Sequence, residues 1–201
     1  MKNLFEKLLF TIKTNPIFSV LILLLIIESV VKTDGNFMDW LYEKVMILPG
    51  IIIGISFHEF AHAYVADKLG DDTPRMQGRL NLNPLTHIDP IGFILLMFAG
   101  FGWGKPVQIN TANFNRNIDR DKGEAIVSLA GPIMNFILAI LSAIILGAIY
   151  MFAPASFFYG NIGNIVYILL QELVIINIGL GIFNTITTIR WIKSIYKFLS
   201  I

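Results

Sequence analysis

Long apolar stretches separated by shorter polar ones make up most of this chain of 201 residues. Apolar side chains dominate residues 16–31, 45–66, 91–101, 125–152 and 162–183. A helix needs about 20 predominantly apolar residues to cross the hydrocarbon core of a bilayer. The pattern therefore predicts an all-α membrane protein, a polytopic helical bundle with about five spanning segments.

Two polar stretches contain a short alternation of apolar and polar side chains. Residues 78–84 read Gly-Arg-Leu-Asn-Leu-Asn-Pro, and residues 105–110 read Lys-Pro-Val-Gln-Ile-Asn. Such alternation is typical of β-strands. We therefore expect a small β-hairpin or sheet at the membrane surface, with its edges in protein or water, because unpaired backbone groups cannot face hydrocarbon.

The composition agrees with a membrane protein. Hydrophobic residues make up 55% of the chain, charged residues only 14%, and the mean hydropathy is +0.70, which excludes an ordinary soluble domain. The net charge of +1, without a basic block, argues against nucleic acid as a partner. The chain has no cysteine, and therefore no disulfide, cysteine zinc site or thiol nucleophile. We expect one membrane-embedded domain over residues 1–201, multi-pass in the cell membrane, with residues 17–27 in an uncleaved first helix.

A His-Glu-x-x-His motif ends the second apolar stretch, where residues 57–63 read Phe-His-Glu-Phe-Ala-His-Ala. On a helix, His58 and His62 lie one turn apart on one face, so both imidazoles can bind one metal ion beside Glu59. Zinc accepts such ligands and activates a bound water, whose proton a carboxylate can take and return to a leaving amine. Because ionisable side chains are costly in a membrane helix without a function, we predict a zinc site that hydrolyses amides, with Glu59 as catalytic base.

Other polar residues in or near the apolar stretches have more than one interpretation. Asn135 needs a polar partner at membrane depth, either in a functional site or in a helix–helix hydrogen bond. Glu172 is either a functional partner or a residue near the membrane interface. His87 fits a structural or surface histidine better than a ligand. Gly50 and Gly54 lie one turn apart and allow another helix to approach closely.

Several motifs accompany the metal motif. They are Gly-Arg-Leu-Asn-Leu-Asn-Pro at 78–84, His-Ile-Asp-Pro-Ile-Gly at 87–92, Gly-Trp-Gly-Lys-Pro-Val at 102–107, Ala-Gly-Pro at 130–132 followed by Asn135, and Gly-Ile-Phe-Asn at 181–184. This combination, over residues 47–184, resembles the site-2 proteases. These are intramembrane zinc metallopeptidases of the peptidase M50 class, and the likeness is to their short bacterial and archaeal members.

The resemblance implies a function and a set of roles. His58 and His62 would bind Zn²⁺, Glu59 would activate water, and Asn135 would lie near the site. The substrate would be a transmembrane segment of another protein in the lipid bilayer. That segment must unwind to expose its amide, and pairing with a strand edge would hold it extended.

The chain departs from the family pattern at its C-terminal end. The family's third zinc ligand is an aspartate in a Leu-Asp-Gly turn soon after the Phe-Asn pair. Here Phe183 and Asn184 are followed by Thr-Ile-Thr-Thr-Ile-Arg-Trp-Ile-Lys-Ser, and residues 185–201 contain no acidic side chain. Unless Asp89, His87 or Glu172 substitutes, we expect weak zinc binding and a protease that is weak or inactive as written.

A shift of reading frame would account for this departure. Codons can be chosen for Thr185 to Ser194 that, read one base later, encode Pro-Leu-Pro-Pro-Leu-Asp-Gly-Ser-Lys. The single codon of Trp191, followed by any isoleucine codon, forces glycine in that frame. We hypothesise that a frameshift near Asn184 replaced the native C-terminus, and the gene sequence decides it, since a shifted frame without Leu-Asp-Gly contradicts the idea.

Two functions of other classes compete with proteolysis. One is a non-catalytic membrane protein that binds polypeptide in the same groove, which the absence of zinc from the purified chain would favour. The other is a metal transporter or sensor that uses the two histidines. Metal movement across liposomes, with little effect of Glu59→Gln on peptide cleavage, would favour this second function.

Overall fold

The computed structural model describes residues 16–31, 36–100 and 102–199, with only the backbone for 16–18, 21, 22, 25, 29 and 189–199. Residues 1–15, 32–35, 101, 200 and 201 lie outside the described residues. The described helices are α1 (Pro16–Val31), α2 (Phe37–Lys68), α3 (Thr73–Met76), α4 (Pro84–His87), α5 (Pro90–Ala99), α6 (Arg120–Phe152), α7 (Ala155–Tyr159) and α8 (Asn161–Leu199). A 3₁₀ turn covers Thr111–Asn113.

The helical membrane architecture expected from the apolar pattern is confirmed. Among the described residues, three helices are long and apolar enough to cross a bilayer: α2, α6 and residues Asn161–Thr188 of α8. The other apolar helices are shorter, with 16 residues in α1 and 10 in α5. A ten-residue helix is only about 15 Å long, half of the hydrocarbon thickness. The expected number of five spanning segments is therefore not confirmed.

Helix α2 is longer than its apolar stretch because it extends at both ends into sequence that also contains polar residues. The Asn36 side chain accepts hydrogen bonds from the backbone N–H groups of Met38 and Asp39, so the helix begins at Phe37, before the apolar stretch that starts at residue 45. Beyond its C-terminal end, Gly70 has a φ of +108°, in the region that favours glycine. The metal motif therefore lies inside a continuous helix, well away from either end.

Helices α2, α6 and α8 pack against one another and form the centre of the molecule. The close approach predicted for Gly50 and Gly54 is confirmed. A Cβ on Gly50 would lie 2.7 Å from Ile176 Cδ1 of α8, and one on Gly54 would lie 2.9 Å from Leu180 Cδ1. Larger residues here would separate α2 from α8.

The expected surface sheet is wrong, since the described residues contain no β-strand and only one isolated bridge, between Ile88 and Gly104. In residues 78–84, an asparagine side chain forms hydrogen bonds with backbone groups of the segment itself. Asn81 Nδ2 donates to the Gly78 carbonyl, and Asn81 Oδ1 accepts from Asn83 N. Asn83 also caps α4. Asparagine offers the backbone these local alternatives to a ladder, which the alternation of side chains does not reveal.

Residues 105–110, the second predicted strand, are irregular for a related reason. Three of their backbone N–H groups donate to partners on three different segments: Lys105 to the His87 carbonyl, Val107 to Glu59 Oε2 and Asn110 to Asp71 Oδ2. Two of these acceptors are carboxylates, so the segment is held by side chains instead of by a neighbouring strand. At the C-terminal end, α8 continues as a helix to Leu199.

Candidate metal centre

The two histidines of the motif converge on one point. Both lie in α2, one turn apart, and their Nε2 atoms are 3.0 Å apart. Two nitrogen ligands of a tetrahedral zinc ion are separated by roughly 3.3 Å, since each lies about 2.0–2.1 Å from the metal. The geometry of His58 and His62 therefore fits one metal ion held between the two Nε2 atoms.

The other ring nitrogen of each histidine is hydrogen-bonded to an oxygen. His62 Nδ1 lies 2.6 Å from the Val127 carbonyl oxygen in α6, and His58 Nδ1 lies 2.6 Å from Asn135 Oδ1, also in α6. A carbonyl oxygen accepts only, so each Nδ1 carries the proton and each Nε2 keeps a lone pair. This is the tautomer that metal-ligating histidines need, with the second nitrogen held by an oxygen acceptor.

Gly131 provides the space in which the two Nε2 atoms meet. A Cβ at this position of α6 would lie 2.6 Å from both Nε2 and Cε1 of His58, and it would also collide with His62 Nε2. Only glycine leaves this space open. The Ala-Gly-Pro motif therefore belongs to the metal centre, through its glycine.

Glu59 lies beside the histidines on the wall of a cavity of about 450 Å³. Its Oε2 accepts a hydrogen bond of 3.1 Å from the Val107 backbone N–H, and its side chain is buried. The cavity also contacts α8 at Leu180, Asn184 and Thr188, and other parts of its wall come from α2, from α6 and from residues between 102 and 109. A cavity of this size accommodates a short stretch of peptide.

A third acidic or imidazole ligand is absent from the centre within the described part of the chain. None of the three proposed substitutes completes the centre. Asp89 caps α5 by accepting from Ile91 N and Gly92 N, and Glu172 lines a separate cavity of about 640 Å³. His87 is fully buried, with Nε2 donating to the Asn81 carbonyl, and burial lowers its pKa. It is therefore a structural histidine but not a surface one.

Asp71 anchors the cavity wall from outside the spanning helices. This fully buried carboxylate accepts hydrogen bonds from Thr73 N and Oγ1, from Asn113 Nδ2 and, at 2.7 Å, from Asn110 N. Burial alone would raise the pKa of Asp71, but these hydrogen bonds together hold it below its usual value. Residues 105–110 are thus tied at one end to Asp71 and in the middle to Glu59.

We expect Asp71→Asn to destabilise the protein by about 1–3 kcal/mol, because an amide would direct N–H groups at the donors that the carboxylate now satisfies. Since the folded-state pKa of Asp71 is lowered, its stabilisation is present above the unfolded pKa of about 3.9 and is lost as pH falls toward the lower folded value. Thermal unfolding in detergent at neutral and strongly acidic pH measures both effects.

The matched control is Asp72→Asn, which removes the same charge from the next residue. Asp72 is exposed and its side chain makes no capping hydrogen bond. Its replacement should change the melting temperature little at any pH. A loss as large as that of Asp71→Asn would mean that net charge, and not the hydrogen bonds, causes the effect.

The structure agrees with several sequence-based placements and adds residues that the sequence reasoning missed. Asn135 does contact His58, as the resemblance implied. The contribution of Gly131 to the metal centre was missed, although the quoted Ala-Gly-Pro motif contained it. Asn177, fully buried in α8, was also missed, and its position in an apolar stretch was the signal that could have found it.

Three relatives show what this chain is similar to. It is 45% identical over 111 residues to "Putative zinc metalloprotease YwhC" of Bacillus subtilis. The aligned residues cover 53% of this chain and 49% of the relative. It is 34% identical over 119 residues to "Putative zinc metalloprotease Rip2" of Mycolicibacterium smegmatis, 58% of this chain and 45% of the relative. The Mycobacterium tuberculosis H37Rv protein of the same name is 35% identical over 103 residues, 48% of this chain and 38% of the relative.

The chain spans half or less of the length of these curated relatives. Neither a protein-family model nor a solved structure matches it. The similarity therefore covers about half of this chain, and the relatives that it matches are named as zinc metalloproteases.

Proposed function

We propose that this chain is a zinc-dependent intramembrane endopeptidase of the site-2 type, weak or inactive as written because residues 185–201 lack the third zinc ligand. The observation that carries the proposal is the convergence of two imidazole lone pairs, 3.0 Å apart, beside a buried carboxylate in a cavity. The names of the relatives support zinc and peptide hydrolysis, and the three candidate spanning helices support a membrane setting.

The roles follow from the positions of the side chains. His58 and His62 would hold zinc through Nε2, and bound zinc would make water a nucleophile at neutral pH. Glu59 takes a proton from the attacking water and returns it to the nitrogen of the leaving amine. The amide C–N bond breaks and the water oxygen becomes part of the new carboxyl group. The Val107 N–H directs Glu59 Oε2 and limits its rotation.

The substrate would be a transmembrane segment of another membrane protein. An amide inside a helix is shielded by its own hydrogen bonds, so the segment must be extended where it is cut. Several of residues 102–109 line the cavity beside Glu59 and are not helical, so an extended peptide would lie along them. This irregular segment would take the role that the resemblance gives to a strand edge.

Zinc content per chain tests the missing ligand. We expect the chain as given to retain far less than one zinc ion after dialysis. A chain translated in the shifted frame from Thr185, with the codons chosen above that encode Leu-Asp-Gly, should hold about one, because structural and catalytic zinc sites use at least three protein ligands. Metal analysis of both purified proteins gives the answer. Equal, full occupancy in the two would show that the third ligand lies elsewhere.

A non-catalytic polypeptide-binding protein is the second candidate. The absence of a third ligand among the described residues favours it, because the cavity can hold a peptide without any metal. Under this function, purified chain would hold no zinc and would bind an apolar peptide with the same affinity when His58 and His62 are replaced by glutamine. Measurable cleavage that Glu59→Gln abolishes would exclude it, and would also refute inactivity as written.

A further inference from the structure

A chain of buried hydrogen bonds links the metal centre to α8. His58 of α2, Asn135 of α6 and Asn177 of α8 are all buried, and the two asparagines are fully so. Asn135 Oδ1 lies 2.6 Å from His58 Nδ1, Asn135 Nδ2 donates to Asn177 Oδ1 at 2.9 Å, and Asn177 Nδ2 donates to the Leu173 carbonyl at 2.8 Å. The three central helices therefore meet in one polar network.

Backbone carbonyls set the direction of this network. The Leu173 carbonyl can only accept, so the amide of Asn177 must turn its Nδ2 toward it and its Oδ1 toward Asn135. Asn135 Nδ2 then donates both to Asn177 Oδ1 and, at 3.2 Å, to the Gly54 carbonyl. Its Oδ1 consequently faces His58 and requires a proton on His58 Nδ1.

A competing arrangement exists within the same site. Two Nε2 lone pairs at 3.0 Å repel each other, whereas His58 in its other tautomer would donate from Nε2 to His62 Nε2 at that same distance. In that tautomer neither Nε2 lone pair is available to a metal, because His58 Nε2 is protonated and His62 Nε2 accepts its hydrogen bond. His58 Nδ1 would then be an acceptor, so Asn135 would have to turn its NH₂ group toward it. The Asn135 oxygen would consequently face Asn177 Oδ1 and the Gly54 carbonyl, which are also acceptors.

We propose that Asn177 is a positioning residue for the metal centre: through Asn135 it holds His58 in the Nδ1–H tautomer and keeps Nε2 free for a metal ion. The metal identity rests on the proposed function, but the tautomer does not. Asn177 touches neither histidine in this network and acts only by fixing which way the Asn135 amide faces. The position of α8 is thereby coupled to the metal-binding state of α2.

Nitrogen-15 NMR of the metal-free full chain, with labelled histidine in detergent micelles, tests the proposal directly. The chain has only three histidines, and loss of one signal in His58→Gln assigns His58. We expect the Nδ1–H form to predominate in the wild type. Asn177→Leu, which removes the acceptor for Asn135, should shift the tautomer ratio about tenfold toward the Nε2–H form, the effect of losing one hydrogen bond.

Two variants separate positioning from a merely structural role. Asn177→Asp loses the donor to Leu173 but still accepts from Asn135, so it should retain the wild-type tautomer. Thr185→Val removes a hydroxyl of α8 that donates to its own helix, in this case to the Gly181 carbonyl, and it should leave the His58 tautomer unchanged. A shift in Thr185→Val as large as in Asn177→Leu would overturn the proposal.

Zinc affinity of the chain translated in the shifted frame, measured by competition with a chelating dye, gives the second readout, because the unshifted chain lacks the third ligand among its described residues. We expect Asn177→Leu to weaken binding about tenfold, the lower end for loss of a residue that orients a metal ligand, and Asn177→Asp to bind at least as tightly as wild type. An unchanged tautomer in folded Asn177→Leu overturns the proposal. If Asn177→Leu does not fold, a predominant Nε2–H form of His58 in the wild type or in Asn177→Asp overturns the proposal.

Failure of the proposed function has a different signature. Absence of zinc from the chain translated in the shifted frame, while the His58 tautomer of the unshifted chain still responds to Asn177→Leu and not to Thr185→Val, would contradict the zinc peptidase and support the positioning role. Tight zinc binding in the shifted-frame chain that Asn177→Leu leaves equal, with equal His58 tautomers, would support the zinc peptidase and contradict the positioning role.

Discussion

Replacing Gly131 with alanine is expected to weaken zinc binding by at least about 100-fold, the upper end for loss of a group that orients a metal ligand. The added Cβ would lie 2.6 Å from His58 Nε2 and would collide with His62 Nε2, so the two imidazoles could no longer approach one ion together. Overpacking of this kind costs about 1–3 kcal/mol of stability, which also lowers the melting temperature. Zinc titration and thermal unfolding of the chain translated in the shifted frame measure both losses.

Gly147→Ala is the matched control because it makes the same change in the same helix. Among the described residues, nothing lies within 4 Å of a Cβ added at Gly147. Alanine should therefore stabilise α6 there by about 0.5–1 kcal/mol, as expected for glycine in a helix interior. Zinc affinity should stay at the wild-type value. Full zinc binding by Gly131→Ala would contradict the placement of the metal between the two Nε2 atoms.

Glu59→Gln is expected to reduce kcat for peptide cleavage about a thousandfold, within the range for removal of a general acid–base catalyst. Glutamine can still accept a hydrogen bond from the Val107 N–H, so the wall of the cavity should remain in place. It cannot take a proton from water. The measurement uses the chain translated in the shifted frame and a labelled transmembrane peptide in detergent or liposomes, with zinc content determined for the same samples.

The control for this experiment is Glu43→Gln, an exposed glutamate near the start of the same helix. It should cleave at the wild-type rate. Loss of cleavage in Glu59→Gln with zinc retained separates a catalytic role from a role in metal binding. Undiminished cleavage in Glu59→Gln would show that another group acts as the base, and loss of zinc would show that Glu59 takes part in holding the metal.

The apolar pattern predicted the helices better than their ends. Residues 16–31 form α1 with those bounds, but α2 begins at Phe37 instead of in the apolar residues that start at 45. A membrane helix can extend beyond the hydrocarbon core into polar sequence when a cap such as Asn36 satisfies its first N–H groups. Helix α8 also extends beyond its apolar stretch. Thr185 Oγ1 donates to the Gly181 carbonyl of the preceding turn, and residues 185–201 contain no glycine or proline that would end the helix.

The predicted strands failed because alternation of side chains does not specify the partner of each backbone group. Val107 N donates to Glu59 Oε2, 48 residues earlier, and Asn110 N donates to Asp71 Oδ2, 39 residues earlier. A carboxylate can replace a neighbouring strand as acceptor, but only the folded chain brings the two together. The segment therefore has the composition of a strand without the pairing.

The sequence by itself determined the membrane class and the pair of imidazoles one turn apart, because helical periodicity and apolar length are local properties. It also established that residues 185–201 contain no acidic ligand. Only the tertiary structure decided the tautomer of each histidine, since the oxygens that fix it come from Val127 and Asn135 of another helix. The roles of Gly131 and Asn177 likewise arise from contacts between α2, α6 and α8, which depend on how separate helices pack.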